Sequence, residues 1–174
     1  RVYFGYESGE ITYVDLRSAY FREMPYSFTS QSVTDLASVG NFLLAEDRSG
    51  VSQTHFVFDV YGVITDRKVW NRRSREHSWN PHNDRVYFLS NGPNDLHFEE
   101  IDQSSGLFID DGESSFHGDY SVDVPITIVN DGSQVLLGTG DLYDANDLTW
   151  VSSLGYDFEY SDANSDYFIT SSFE

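Results

Sequence analysis

Hydrophobic and polar positions along this chain follow a recurring cadence. An apolar run, a short turn and a second strand-like run ending on aspartate come round four times: ITYVDLRSAY with Asp15, FVFDVYGVI with Asp59, FEEIDQSSGLF with Asp102 and DLYDANDLTW with Asp144. The aspartates stand 44, 43 and 42 residues apart. Their leading apolar runs are VYFGY, FLLAE, VYFLS and VLLGTG, and a fifth run, DYFITS, follows near Tyr167. Self-similarity at a fixed period of this size marks a repeat architecture. Within the middle copies the pattern divides into four strands. The first is Ser32 to Val39 or Glu76 to Pro81, the second FLLAE or VYFLS, the third HFVFDV or LHFEEID, and the fourth VITDRKVW or GLFID. The second strand is apolar on both faces, as a strand packed between layers must be, whereas the third alternates and is expected to turn one face outward.

Four antiparallel strands per unit of about 42 residues predict an all-β chain built as a β-propeller of four-stranded blades. About four to five blades fit: a partial one over 1–28, then 29–75, 76–118 and 119–155, and a second partial one over 156–174. By this register the chain opens on a second strand and closes on one, so the expectation is part of a larger ring, or a ring shared with another chain. A sandwich also spaces short strands evenly, but it does not require four aligned aspartates with matching flanks.

Composition agrees with strands. Aromatics make up 16% of the 174 residues, the apolar total is 39%, and Val, Ile, Tyr, Phe and Thr are plentiful, which suits pleated, half-buried surfaces. The net charge of −19 is unevenly spread: all ten basic residues lie within 1–85, beside eleven acids, and the remaining eighteen acids occupy 86–174. Such a field repels phosphate backbones and argues against nucleic acid as a partner; adaptation to salty surroundings produces the same surface. There is no cysteine, hence no disulfide or thiolate chemistry. No 18-residue apolar segment is present, so no helix of membrane-spanning length is expected.

The units NDRVYFLSNG, LHFEEIDQSSG and DGSQVLLGTGDLYDANDLTW resemble the repeats of bacterial WD-like and YVTN-like β-propellers in exported or cell-surface proteins. The resemblance spans nearly the whole chain and is one of architecture. Gly-His does not open each unit, and Trp-Asp is replaced by Val-Asp, Phe-Asp, Ile-Asp and Tyr-Asp in the four copies. It implies a binding or interaction module of an extracellular, cell-surface or periplasmic protein.

Candidate chemistry is thin. DLYDANDLTW matches a sialidase-type Asp box only at Thr149-Trp150, with Ala145 and Asp147 at the Asp and Gly positions. The acid pairs Glu99-Glu100 and Asp110-Asp111 invite glycoside hydrolysis, yet neighbours on a strand point to opposite faces. No cofactor is implied. Calcium is the metal such an oxygen-rich chain would take, and Asp162, Asn164 and Asp166 alternate like the start of a calcium loop, although Tyr167 replaces the required Gly. The five histidines show no metal-binding spacing. Arg67, Lys68, Arg72, Arg73 and Arg75 form the one concentrated basic run, on a fourth, outermost strand and the loop after it. They would guard an edge against pairing or meet an acidic partner. Asp15, Asp59, Asp102 and Asp144 read as a repeated structural turn. The expectation is therefore a non-catalytic module for a protein or glycan ligand. The alternatives are a carbohydrate-active propeller using channel-facing carboxylates and an assembly unit joined through an open blade edge, to another copy or to the rest of the ring.

Overall fold

Strand reversals fall where glycine and the Asx residues permit left-handed backbone. Gly40, with φ of 59°, lets Val39 pair directly with Phe42 across a two-residue turn, and Asn130, Asp131 and Gly132, at 51°, 52° and 82°, close the hairpin that pairs Val129 with Gln134. The computed structural model describes every residue except 51, 92, 117, 164–167 and 172–174, and only the backbone of 49, 160–163 and 168–171. Among the described residues none is helical, and so no helix is long and apolar enough to cross a membrane.

Seventeen strands run among the described residues, each beside its chain neighbour. The strands β1 (Val2–Gly5), β2 (Glu10–Val14) and β3 (Glu23–Phe28) form a three-stranded sheet. Three four-stranded sheets follow: β4 (Ser32–Val39), β5 (Phe42–Ser49), β6 (Ser52–Phe58) and β7 (Ile64–Trp70); β8 (Arg73–Asn80), β9 (Arg85–Asn91), β10 (Asp95–Ile101) and β11 (Phe108–Glu113); and β12 (Ile126–Val129), β13 (Gln134–Leu137), β14 (Asp141–Asp144) and β15 (Trp150–Ser153). A last pair, β16 (Tyr160–Ala163) and β17 (Phe168–Ser171), is antiparallel.

The chain divides into two compact units, residues 1–73 with 102–108, and residues 74–101 with 109–174. In the first, Ile11 of β2 packs with Leu43, Ala45, Phe56 and Phe58 of the β4–β7 sheet, flanked by Tyr3 and Tyr26. The rings of Tyr3 and Tyr26 meet edge to face at 4.9 Å. In the second, Tyr87, Leu89, Leu96 and Phe98 of β9 and β10 interdigitate with Val135, Leu137, Tyr143 and Leu148 around β13 and β14. Both cores are formed by one sheet against the next, the packing that lets identical short meanders share a hydrophobic interior.

Two sequence expectations change. The third strands do not turn a face to solvent: Leu96, His97, Phe98 and Glu99 of β10 are all buried, as are Phe56, Val57 and Phe58 of β6. The polar members of β10 are accommodated by hydrogen bonds, His97 to the Ser90 hydroxyl across the β9–β10 ladder for one, so alternation in polarity there does not mean alternation in exposure. The basic run is also more structured than a strand followed by a loop, because Asn71 and Arg72 are a tight turn and Arg73 and Arg75 already belong to β8.

Leu89 is fully buried in the second unit's core, so Leu89→Ala should cost about 2–5 kcal/mol of unfolding free energy. Leu16→Ala, at an exposed turn position, should change it by no more than about 0.5 kcal/mol. Urea unfolding of the two variants measures the contrast.

Candidate functional site

The four repeated aspartates stand at or just past the ends of β2, β6, β10 and β14 and do the same local job. In every copy Oδ1 accepts the backbone N–H two residues on: Arg17 on Asp15 at 2.9 Å, Tyr61 on Asp59 at 2.9 Å, Ser104 on Asp102 at 3.1 Å and Asn146 on Asp144 at 2.7 Å. This is an Asx turn, a side chain substituting for the backbone acceptor of a tight reversal. Ladder-like bonds close the base of three of these loops, from Asp59 N–H to Val63, Asp102 N–H to Leu107 and Asp144 N–H to Thr149.

The turn carbonyls are then taken up by side chains of the preceding sheet. The Tyr26 hydroxyl donates to the Asp59 carbonyl and Ser27 Oγ to that of Gly62 at 2.8 Å. Thr65 Oγ1 donates to Gly106 O at 2.9 Å, and Asp66 Oδ2 receives the Phe108 N–H at 3.0 Å. In the second unit the Tyr87 hydroxyl and the Arg85 guanidinium donate to the carbonyls of Ala145 and Asn146. The approach is close enough to require glycine at Gly62, where φ is +82° and a Cβ would lie 2.1 Å from the Tyr26 carbonyl oxygen.

The copies differ in what these held turns display. In the first unit the segment after Asp15 presents Leu16, Tyr20 and Phe21, and the one after Asp59 presents Val60, Tyr61 and Val63; Tyr20, Phe21 and Tyr61 are 83%, 75% and 84% exposed. Beside them Tyr13, Asp15, Ser18, Tyr20, Arg22 and Met24 line a groove of about 550 Å³. Arg1 lies over the Tyr13 ring, 4.5 Å from its centroid, and donates to the Val60 carbonyl at 2.9 Å, which places both turns at one end of the unit. The turns after Asp102 and Asp144 instead read QSSG and ANDL.

Electrostatics follow the hydrogen bonds. Arg17, through its guanidinium and then its N–H, holds the Asp15 carboxyl down at about 2. The hydroxyls of Ser104 and Ser105, aided by their N–H groups, hold Asp102 at about 2 as well.

Of the basic run, Arg67 is exposed on β7, Lys68 lies 5.0 Å over the Trp70 ring, and Arg75, in the other unit, pairs with Asp123 at 3.0 Å. Asn164, Asp166 and His117 fall outside the described residues, and of Asp162 only the backbone is described. Glu99 is buried, whereas Glu100 pairs with Arg85 at 3.3 Å. Asp110 and Asp111 are exposed on β11. Sequence reasoning missed the exposed rings, although aromatics inside a turn segment were a usable signal. It also missed Asp95, His97 and Glu113, which converge in the second unit with ligating atoms within 4.8 Å of one another. The signal there is the Asp-Leu-His spacing, which puts Asp95 and His97 on one face of β10.

Compared with known protein families and with curated protein sequences, the chain matches none. Solved structures are similar. The β-propeller domain of Cps50 (Swd1) from Myceliophteria thermophila superposes with a TM-score of 0.70 over 94% of this chain at 9% identity, and Kuenenia stuttgartiensis hydrazine synthase with 0.64 over 80% at 12% identity. The fold is a β-propeller. The chain spans 60% and 47% of those two chains.

The depressed Asp15 and Asp102 carboxyls give a pH signature. Their native values lie near 2 and their ordinary value is 3.8, so the unfolded chain binds protons first on acidification. The stabilisation is complete above about pH 4 and is lost as pH falls through about 2. An Asp15→Asn, Asp102→Asn variant keeps the side-chain acceptor but not the charge, and should lose less stability across that window than the wild type. Chemical unfolding at stepped pH measures the two slopes.

Proposed function

We propose that this chain is a non-catalytic binding module that docks a protein partner on the held turns of its first unit. The observation that carries the reading is the exposure of Tyr20, Phe21 and Tyr61 on turns whose backbones are tied by Asp15 and Asp59. Exposed aromatic area is what a partner's burial would reward, and rings on preorganised turns bind with less ordering entropy to overcome. Arg22 and Asp15 give the groove beside them a polar rim, which suits a segment mixing apolar and acidic side chains.

The module belongs, in this reading, to a larger propeller of an exported or cell-surface bacterial protein. Support comes from the resemblance of residues 83–106 and 131–150 to repeats of such proteins and from the chain's spanning 60% of the Swd1 propeller domain. A glycan ligand is the second reading, favoured by the Tyr13 and Tyr20 rings standing beside Asp15, Ser18 and Arg22, a combination of stacking faces and hydrogen-bonding groups. The carbohydrate-active reading has less support, because Glu99 is buried and Glu100 is engaged by Arg85.

Quantitative affinity capture with the wild type and a Tyr20→Ser, Phe21→Ser, Tyr61→Ser variant tests the docking surface. Truncated aromatic anchors typically weaken binding by about 2 kcal/mol or more each, so a specific protein partner should be recovered at least about tenfold less by the variant, with its unfolding midpoint unchanged. Equal recovery by both proteins would contradict the reading. Binding on a glycan array that the same variant abolishes would replace the protein by a sugar.

A further inference from the structure

We propose that Asp95, His97 and Glu113 bind a divalent transition-metal cation of the zinc class, in the second unit. His97 Nε2 lies 3.9 Å from Glu113 Oε2, and one donor atom from each of the three residues lies within 4.8 Å of the others. Metal–ligand bonds of about 2.0–2.2 Å place neighbouring donors roughly 3–3.5 Å apart in a tetrahedral site. The exposed Glu113 side chain has the freedom to shorten its 3.9 Å separation from His97.

The fold sets this convergence. Asp95 and His97 sit two apart on β10 and share a face, while Glu113 ends β11, the strand hydrogen-bonded to β10. The next residue anchors the pairing: Ser114 N–H donates to the Leu96 carbonyl at 2.9 Å, and the Ser114 hydroxyl donates to Asp95 Oδ1. The His97 ring is stacked on Phe88 with 5.4 Å between centroids and 15° between planes. Its Nε2 lies 2.8 Å from Ser90 Oγ, a contact that a bound cation would displace. Asp95 and His97 are buried, and the Glu113 side chain is 40% exposed, so two ligands are preorganised and the third opens the site to solvent.

A divalent cation between the two carboxylates would be held by opposite charge as well as by the imidazole nitrogen. An imidazole nitrogen among the donors selects zinc-class ions over calcium, which takes oxygen ligands almost exclusively. Three protein ligands leave a coordination position for water or a partner's side chain.

Chelator-treated protein titrated with Zn²⁺, Co²⁺ and Ca²⁺, followed by calorimetry and thermal unfolding, tests the site. One equivalent of Zn²⁺ should bind and raise the unfolding midpoint by several degrees, as a ligand of the native state must. Co²⁺ should give a visible ligand-field band, and Ca²⁺ should do neither. Glu113→Ala, at the exposed rim, should fold normally and weaken Zn²⁺ at least about tenfold. His97→Asn should abolish the cobalt band if it folds. Absence of Zn²⁺ binding, or binding undiminished in Glu113→Ala, would overturn the proposal, the latter by assigning the ion to other histidines.

Discussion

The bond from a turn N–H to an aspartate Oδ1, made at Asp15, Asp59, Asp102 and Asp144, is the constraint on which this molecule's architecture depends. It turns the chain into the next strand in the same way in each copy, from β2 to β3, β6 to β7, β10 to β11 and β14 to β15. Because the turn is tied by its own aspartate, its carbonyls point outward to be received by Tyr26 and Ser27, by Thr65, and by Tyr87 and Arg85. One local device thus closes a hairpin and, after Asp59, Asp102 and Asp144, presents turn carbonyls to side chains of the sheet before it. Apolar packing between sheets within each unit supplies the bulk of the stabilisation, while the tied turns fix the hairpins they close.

A turn held this firmly tolerates unusual content at its tip. Large rings on a mobile loop would collapse onto the nearest apolar surface, but on a tied backbone Tyr20, Phe21 and Tyr61 stand in solvent. The first unit uses that freedom for aromatic residues, whereas the segments after Asp102 and Asp144 are small and polar. Architecture is therefore repeated while surface chemistry is not, which is how a repeat fold acquires one distinctive face.

The strand order and the turn aspartates were legible in the sequence because both are local properties. A strand ending in Asp and followed by small residues carries its own turn chemistry, and β4, β5, β9 and β10 fall where the period put them. What could not be read was anything created by pairing and packing. β10 alternates polar and apolar residues as an exposed strand does, yet Glu99 and His97 are buried. The meeting of His97 with Glu113 depends on the register between β10 and β11, separated by a turn whose length the sequence does not announce. Arg67 and Arg75, close in sequence, end up in different units with different surroundings.

Amide hydrogen exchange at Arg17, Tyr61, Ser104 and Asn146 addresses the central claim most directly. These four N–H groups belong to residues on surface turns, outside the strand ladders, yet each is donated to an aspartate. They should exchange well below unstructured-chain rates in the native protein, and replacement of the paired aspartate by alanine should release the corresponding amide selectively. Exchange of all four at unstructured rates in the wild type would mean that the turns are not tied, and the account built on them would fail.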